Sequence, residues 1–551
     1  MAVSRNNTFW KCCEKFTNIF SDRAYAGLIV ITIAVTMAYS AYSILKYYSL
    51  AASGWDLGIH SQVLWSTMNG NLFYSPLIGE NLLAEHFAPF EFIQLPIYFL
   101  YSSPASLLVF QAIFVAFATL PLYLISKTIL VGKINSKKIL ASISLGFSIS
   151  YLFSPYTLSL ISFDFHNISF LPFFLFLAFY GFLTERKYLS IFSIIMIVSL
   201  HSNFIYIAAT LLLYELFYLR TGEGKKISEW LIPKIDARSW KNNVLFIFII
   251  VLLYGYLVFA GFLKGYFVGT PVLTTSAITG ASGTPFTSVP SLIHLLFTNP
   301  KILLQYFSAN SYDKEIFFLI LLGSLIFLPL FSPLSLILSI PFALYALPSN
   351  YAGYYGLGYQ YTGMIVGAMY ISAIIGLYNL FHIFEKCVVG KKLNIKSNVH
   401  SSGVYGVLVA LLVATILIIP FGVFSPPQVI DRPGNSQIVD VFDLHYSSEA
   451  INFLKEGSNH IPSNSYILTQ NNLMPFFSNY VHAYSTPWSP GISSNIDNFQ
   501  YIVIQNGSFW AEQPSSAGSL QTIATNYLAN GTFTIFESDR SLNLYILVRT
   551  N

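Results

Sequence analysis

The sequence predicts an α-helical polytopic membrane protein that carries a small external α/β domain at its C-terminus. Three observations predict it. Of 551 residues, 54% are hydrophobic and only 9% charged, with a mean hydropathy of +0.60. Apolar runs of about 18 residues or more recur along the first three quarters of the chain, the length that crosses a bilayer as helix. Beyond about residue 425 the apolar runs shorten, and nine acids stand against four bases.

About eleven spans are expected, at roughly 24–46, 105–131, 139–161, 168–183, 188–201, 203–219, 243–263, 315–331, 333–347, 362–383 and 404–424. Those within 168–219 are short, and one of them fits a broken or re-entrant helix. The first run is longer than a signal-peptide core and no small-residue cleavage site follows it, so it reads as a retained helix. Basic residues set the orientation. With the N-terminus inside, segments 1–23, 127–138, 184–187, 220–242 and 385–396 hold 20 Lys and Arg, whereas the short external segments hold only Lys46, Lys264, Lys301 and Lys314. An odd number of spans then puts the C-terminus outside a plasma membrane that the chain crosses many times.

The expected division is a transmembrane domain over 1–424, with a long first external loop at 47–104, and an external soluble domain over 425–551. In the tail, "SSEAINFLKEG" reads as an amphipathic helix, and "SYILTQ", "QYIVIQ", "TFTIFE" and "LNLYILV" read as strands. The run "GTPVLTTSAITGASGTPFTS" (269–288) reads as a flexible external loop. Asn167, Asn506 and Asn530 head sequons on the external side and are candidate N-glycosylation sites; Asn6 also heads one but falls inside.

Several functions are excluded. A net charge of +4 is too weak for nucleic acid. Cys12, Cys13 and Cys387 permit no disulfide framework and all fall inside. No P-loop, dinucleotide glycine fingerprint or H-E-x-x-H zinc motif is present. An external enzyme has no cytosolic nucleotides, so its activated donor must come from the membrane.

The first external loop contains Asp56, His60, Glu80, Glu85, His86 and Glu91, and the next external turn, "ISFDFHN", adds Asp164 and His166. Wet loops carry charges for solubility alone, which is the ordinary explanation of any single acid here. Asp56, His86, Asp164 and His166, however, sit within a few residues of span ends, among apolar and aromatic neighbours ("WDLG", "EHFAPF", "FDFHN"), where ionisable groups are costly and have a partner or a task. Carboxylates with imidazoles suit either a divalent cation or general-base chemistry on a hydroxyl. Lys46, Lys264, Lys301 and Lys314 are the external bases, outside the tail, available to a phosphate, and interfacial snorkelling is the ordinary explanation of each of them. Tyr354, Tyr355, Tyr359 and Tyr361 in "NYAGYYGLGYQY" suit sugar stacking or an aromatic belt.

"WDLGIHSQVLWSTMNGNLFYSP", "EHFAPF", "LPIYFLYSSPASLLVFQAIFVAFATLPLYLISK", "FDFHNISFLPFFLFLAFY" and, in the tail, "IPSNSYILTQNNLMPFFSN" followed by "FQYIVIQ" resemble a prokaryotic membrane family, domain of unknown function 2079. That family in turn resembles the GT-C superfamily of integral-membrane glycosyltransferases, which take sugars from polyprenyl-phosphate carriers. The resemblance implies catalytic roles for Asp56 and Asp164, with His86 and His166 as metal ligands or phosphate partners and a divalent cation of unspecified identity. Candidate substrate-binding residues are His60, Glu85, Lys46, Tyr359 and Tyr361. One departure stands out: where an acidic stretch is expected after the second motif, this chain reads "SLHSNF" (199–204), with His201 and Asn203 in place of a charge pair. His201 reads equally as a hydrogen-bonded histidine inside the bundle.

Two functions follow. One is transfer of a sugar from a polyprenyl-phosphate carrier to an acceptor on the external face. The alternative is a non-catalytic scaffold or anchor of the cell envelope, with 425–551 as the module that meets envelope proteins. Charges confined to one face and the lack of an inverted repeat argue against a transporter.

Overall fold

The computed structural model describes residues 22–85, 87–215, 289–333, 335–389, 397–418, 444–486, 498–506 and 520–550, with isolated positions 255, 259 and 285. The expected span at 243–263, the loop at 269–288, Lys264, Asn6, Cys12 and Cys13 fall, wholly or nearly so, outside the described residues.

The first helix, α1 (Arg23–Tyr48), is 26 residues long. Asp22 caps it by accepting from the Ala24 and Tyr25 amides, and also anchors Lys127 at 2.6 Å and Tyr123 at 2.9 Å. A carboxylate at a helix N-terminus satisfies orphan N–H groups and meets the positive end of the helix dipole. Residues 49–103 leave the bundle and contain α2 (Ile59–Met68), a short hairpin of β1 (Tyr74–Ser75) and β2 (Glu80–Asn81), and α3 (Glu91–Leu100). The chain then re-enters through α4 (Pro104–Phe117), capped by Ser103 with proline at its first position, and α5 (Thr119–Leu130).

Helices α6 (Lys137–Phe153) and α7 (Pro155–Ser162) form one bent unit, broken by 40°. The cause is local: Pro155 has no amide hydrogen and forces Ser154 out of helical geometry, and Ser154 then caps α7. Next come α8 (Leu171–Leu183), α9 (Lys187–Leu200) and α10 (Ile205–Tyr214). Later helices are α11 (Ser311–Ser324), α12 (Gly363–Val389) and α13 (Ser397–Ile418).

Among the described residues, three helical segments are long and apolar enough to cross a membrane singly: Arg23–Tyr48, Pro104–Leu130 and Gln360–Phe384. The bent α6–α7 pair makes a fourth. This is fewer than the expected eleven. Among the described residues, several of the other apolar runs are split into shorter helices by 3-10 turns, as at Asn167–Phe170, Ser202–Phe204, Leu328–Phe331 and Ser335–Ser339. Hydropathy counts apolar residues but does not register these breaks. The Gln360–Phe384 segment is mostly buried and forms the centre of the bundle, whereas α1 is mostly exposed.

The tail folds as α14 (Ser448–His460), β3 (Tyr466–Gln470), β4 (His482–Thr486), β5 (Tyr501–Gln505), α15 (Leu520–Ala529), β6 (Phe533–Asp539) and β7 (Leu544–Arg549). The expected helix and all four expected strands are present; β4 and α15 are additional. The sheet order is β4-β3-β5-β7-β6, parallel across β4-β3-β5 and antiparallel across β5-β7-β6. Alternation divides the strands between two cores, as the period of two requires. Leu468, Ile502, Ile504 and Leu547 pack with Leu520, Ala524 and Phe533. Ile467, Val503, Leu544 and Ile546 face Ile451 and Leu454 of α14 and join the main core, which continues into the bundle.

Candidate functional site

The site forms where the 49–103 segment, the turn after α7 and the tail meet. Lys46, in the last turn of α1, lies 2.9 Å from Asp164 Oδ1, with both side chains almost fully buried. Its ammonium also donates to the Ser162 carbonyl at 2.8 Å. The other Asp164 oxygen, Oδ2, accepts the Ser53 amide at 2.6 Å. Burial pushes the Asp164 carboxyl above the ordinary aspartate range, even with the Lys46 ammonium and the Ser53 N–H pulling the other way. Asp164, expected as a second catalytic acid, is engaged on both oxygens: it fixes where the loop leaves α1. Lys46, expected to bind substrate, is its counter-ion.

Directly after Ser53 the chain makes a single widened helical turn, Gly54–Gly58, that carries Asp56. Such π-type turns are rare and recur at functional sites. This one is held from the tail. The Asn471 side-chain oxygen accepts the amides of Gly54 at 3.0 Å and Trp55 at 3.1 Å, and lies 3.3 Å from the Ser53 hydroxyl. The Asn471 carbonyl takes the Gly54 amide at 2.8 Å. Asn472 donates to the Leu50 carbonyl at 3.2 Å. A Cβ on Gly54 would lie 2.5 Å from Met474 Cβ and 2.9 Å from the Asn471 carbonyl oxygen, so only glycine permits this approach. The seam continues through Ser61 and Ser478 (2.8 Å), Tyr98 and Asn479 (2.9 Å), Gln62 and the Ala483 carbonyl (3.1 Å), and a stack of Tyr47 on Phe476 at 4.6 Å.

Asp56 itself is half-buried. Its charge acts on Tyr351 and Tyr361. The Tyr351 phenol is pushed up to about 12, first by burial, then by Tyr354 and the Asp56 carboxylate. Tyr351, Tyr354, Tyr359 and Tyr361 pack together, with Tyr354 and Tyr361 at 4.5 Å and Tyr351 and Tyr354 edge-on at 5.3 Å. Tyr359 and Tyr361, expected at the substrate site, therefore share a cluster with the carboxylate. Tyr355 points elsewhere and accepts from Asn310 at 2.7 Å.

His60, one turn after Asp56, is held by a second acid. Its Nδ1 lies 2.8 Å from Oε1 of fully buried Glu91. The same oxygen accepts the Asn167 amide at 2.8 Å, and Asn167 in turn accepts from Gln94 at 2.7 Å. The His60 ring meets the His166 ring edge-on at 5.9 Å. His166 caps the 3-10 turn Asn167–Phe170, its Nδ1 accepting the Ile168 amide at 3.1 Å, and its own amide donates to Gln111 at 2.8 Å. His201 does the same one helical hairpin later, accepting the Asn203 amide at 3.1 Å. Both histidines of the "FHN" and "LHSN" turns thus cap backbone where charges were sought.

These roles bear on a metal. A neutral imidazole that accepts at Nδ1 carries its proton on Nε2 and offers no lone pair there, so His166 in this state does not fit as a ligand. Among the described residues, no group of three or more His, Cys, Asp and Glu is disposed to hold a metal ion. Glu85 closes the short helix Leu82–Glu85. Its side chain, and all of His86, lie outside the description.

Asn167, expected as a glycan acceptor, is buried and its amide is committed to Glu91, an arrangement that a glycan would destroy. Asn506 and Asn530 are exposed. Sequence reading missed Asn471, Gln94 and Gln111. The polar side chains of Gln94 and Gln111 in otherwise apolar helices were the available signal for those two, since such groups are retained in apolar surroundings only with partners.

No curated protein matches the chain. Among solved structures, the crystal structure of ArnT from Cupriavidus metallidurans in the apo state is similar at 11% identity and a TM-score of 0.48, over 95% of this chain and 98% of that one, a likeness too slight to carry an argument. A family model described as "Predicted membrane protein (DUF2079)" matches residues 46–542, a stretch that includes Lys46, Asp56, Asp164 and Asn471. The chain belongs to this DUF2079 family of membrane proteins.

Proposed function

We propose that the protein is an integral-membrane glycosyltransferase of the GT-C kind, moving a sugar from a polyprenyl-phosphate carrier to an acceptor hydroxyl on the external face of the plasma membrane. The observation that carries this reading is Asp56: a half-buried carboxylate on a widened turn, braced from two sides and set beside the tyrosine cluster at 351–361. In the reaction, the acceptor oxygen attacks the anomeric carbon, the bond from that carbon to the carrier phosphate breaks, and Asp56 takes the hydroxyl proton. Polyprenyl phosphate leaves with the electron pair. His60, oriented by Glu91, is the adjacent group suited to donate to the departing phosphate. The tyrosines offer ring faces to the sugar. Asp164 takes no chemical part.

The scaffold reading is favoured by one observation, that the second acid is spent on Lys46. Native mass spectrometry of the purified protein with added polyprenyl-phosphate sugars separates the two, with wild type beside Asp56→Asn. Consumption of the carrier by wild type and its loss in the variant supports the transferase. Absence of both binding and turnover in wild type leaves the scaffold.

A further inference from the structure

We infer that Asn471, in the C-terminal domain, is a positioning residue for Asp56, which makes that domain a working part of the site. The inference rests on the transferase reading above and extends it to a residue more than 400 positions away from the acid it serves.

The first amides of a helix have no partner within it and need acceptors from outside. In the Gly54–Gly58 turn, the amides of Gly54 and Trp55 are such groups, and the Asn471 side-chain oxygen accepts both. The Asn471 nitrogen also donates to the Ser53 hydroxyl at 3.1 Å, and that hydroxyl accepts the Trp55 amide at 3.1 Å. One carboxamide thus holds the residues just before Asp56. The Ile59 amide, bonded to the Gly54 and Asp56 carbonyls, closes the turn on the other side.

Asn471 is itself rigidly mounted. Gln470 before it grips β5 through its side chain, accepting the Gln505 amide at 2.7 Å and donating to the Gln505 carbonyl at 3.3 Å. Asn472 after it donates to Leu50 and to Gln505. The amide therefore transmits the position of the sheet to the turn. A displacement of about 1 Å at a reacting group costs on the order of 100-fold in rate, so a mount of this kind matters to chemistry as well as to folding.

The oxygen of Asn471 carries the role, and this gives the test. Asn471→Ala removes the side-chain acceptor and leaves Gly54 with the Asn471 backbone carbonyl and Trp55 with the Ser53 hydroxyl; Asn471→Asp keeps a side-chain oxygen that accepts the same two amides. The full-length protein in detergent is compared as wild type, both variants and Asp56→Asn, by carrier consumption and by hydrogen exchange of the peptide containing the Ile59 amide. The expected result is that Asn471→Ala lowers kcat about 10- to 100-fold with KM little changed. Exchange over 54–60 should rise about tenfold while exchange in β3 and β5 stays at the wild-type level. Asn471→Asp should recover most of both. Exchange over 54–60 that is unchanged in Asn471→Ala, or a loss that Asn471→Asp does not recover, overturns the positioning role and leaves the transferase reading intact. A wild type that consumes no carrier, with Asp56→Asn indistinguishable from it, overturns the transferase reading, and Asn471 then has no acid to position.

Discussion

Lys46 and Asp164 face each other at 2.9 Å, 118 residues apart in sequence and almost wholly removed from solvent. The pair joins the end of α1 to the turn after α7, and through Asp164 Oδ2 it fixes Ser53, the residue that opens the Asp56 turn. Breaking a buried pair from one side leaves a charge with no counter-ion, which costs about 3–5 kcal/mol. Lys46→Met should therefore lower the thermal unfolding temperature sharply in detergent. Lys46→Met with Asp164→Leu should recover much of the loss, since an apolar pair leaves no orphan charge. If the single and double variants unfold alike, the pair is not the tie described.

Glu91 offers a second test. Its Oε1 receives both His60 and Asn167. Glu91→Ala leaves two buried donors without an acceptor, at about 1–3 kcal/mol each. Glu91→Gln keeps an acceptor oxygen and should cost markedly less. Chemical denaturation of the two variants side by side measures the difference, and equal costs would refute the network.

Gly54→Ala should destabilise by about 1–3 kcal/mol, because the new methyl lands on Met474 and on the Asn471 carbonyl. Shortening Met474 to alanine in the same chain should relieve only the contact with Met474 Cγ, as both Met474 Cβ and the Asn471 carbonyl stay in place. Thermal unfolding of the three proteins reads this directly, and full relief would mean that the backbone contact is unimportant.

Tyr351 predicts a pH effect. Its phenol ionises at about 12 in the fold against an ordinary 10, so the unfolded chain loses this proton first as the solution becomes alkaline. The folded-state value is raised; the stability it contributes is complete below pH 10 and is lost as pH rises from there through about 12. Burial is the larger cause, and the Asp56 carboxylate adds to it. Asp56→Asn should bring the Tyr351 titration down, as followed by NMR of ring-labelled tyrosine. An unchanged midpoint would mean that the two groups are too far apart to interact.

The sequence by itself determined the material of each part. Long apolar runs with sparse charge can only be helices in a membrane-sized bundle, and α1, the 104–130 helices and the Gln360–Phe384 segment follow from that pattern. In the tail, short alternating runs between turn residues became β3, β5, β6 and β7, because a period of two has one stable use. The sequence also singled out Asp56, His60 and the tyrosines near 360 as candidates, from residue type and place along the chain. Tertiary structure decided the partners. Nothing in "FDFHN" indicates that Asp164 is claimed by Lys46, that His166 spends a nitrogen on its own backbone, or that Asn167 is buried against Glu91. Nor does "TQNN" indicate a grip on "SGW" from 417 residues away. Periodicity reports which face of an element is apolar. Which polar groups then neutralise one another depends on what the folded chain brings within 3 Å, where desolvation makes pairing compulsory.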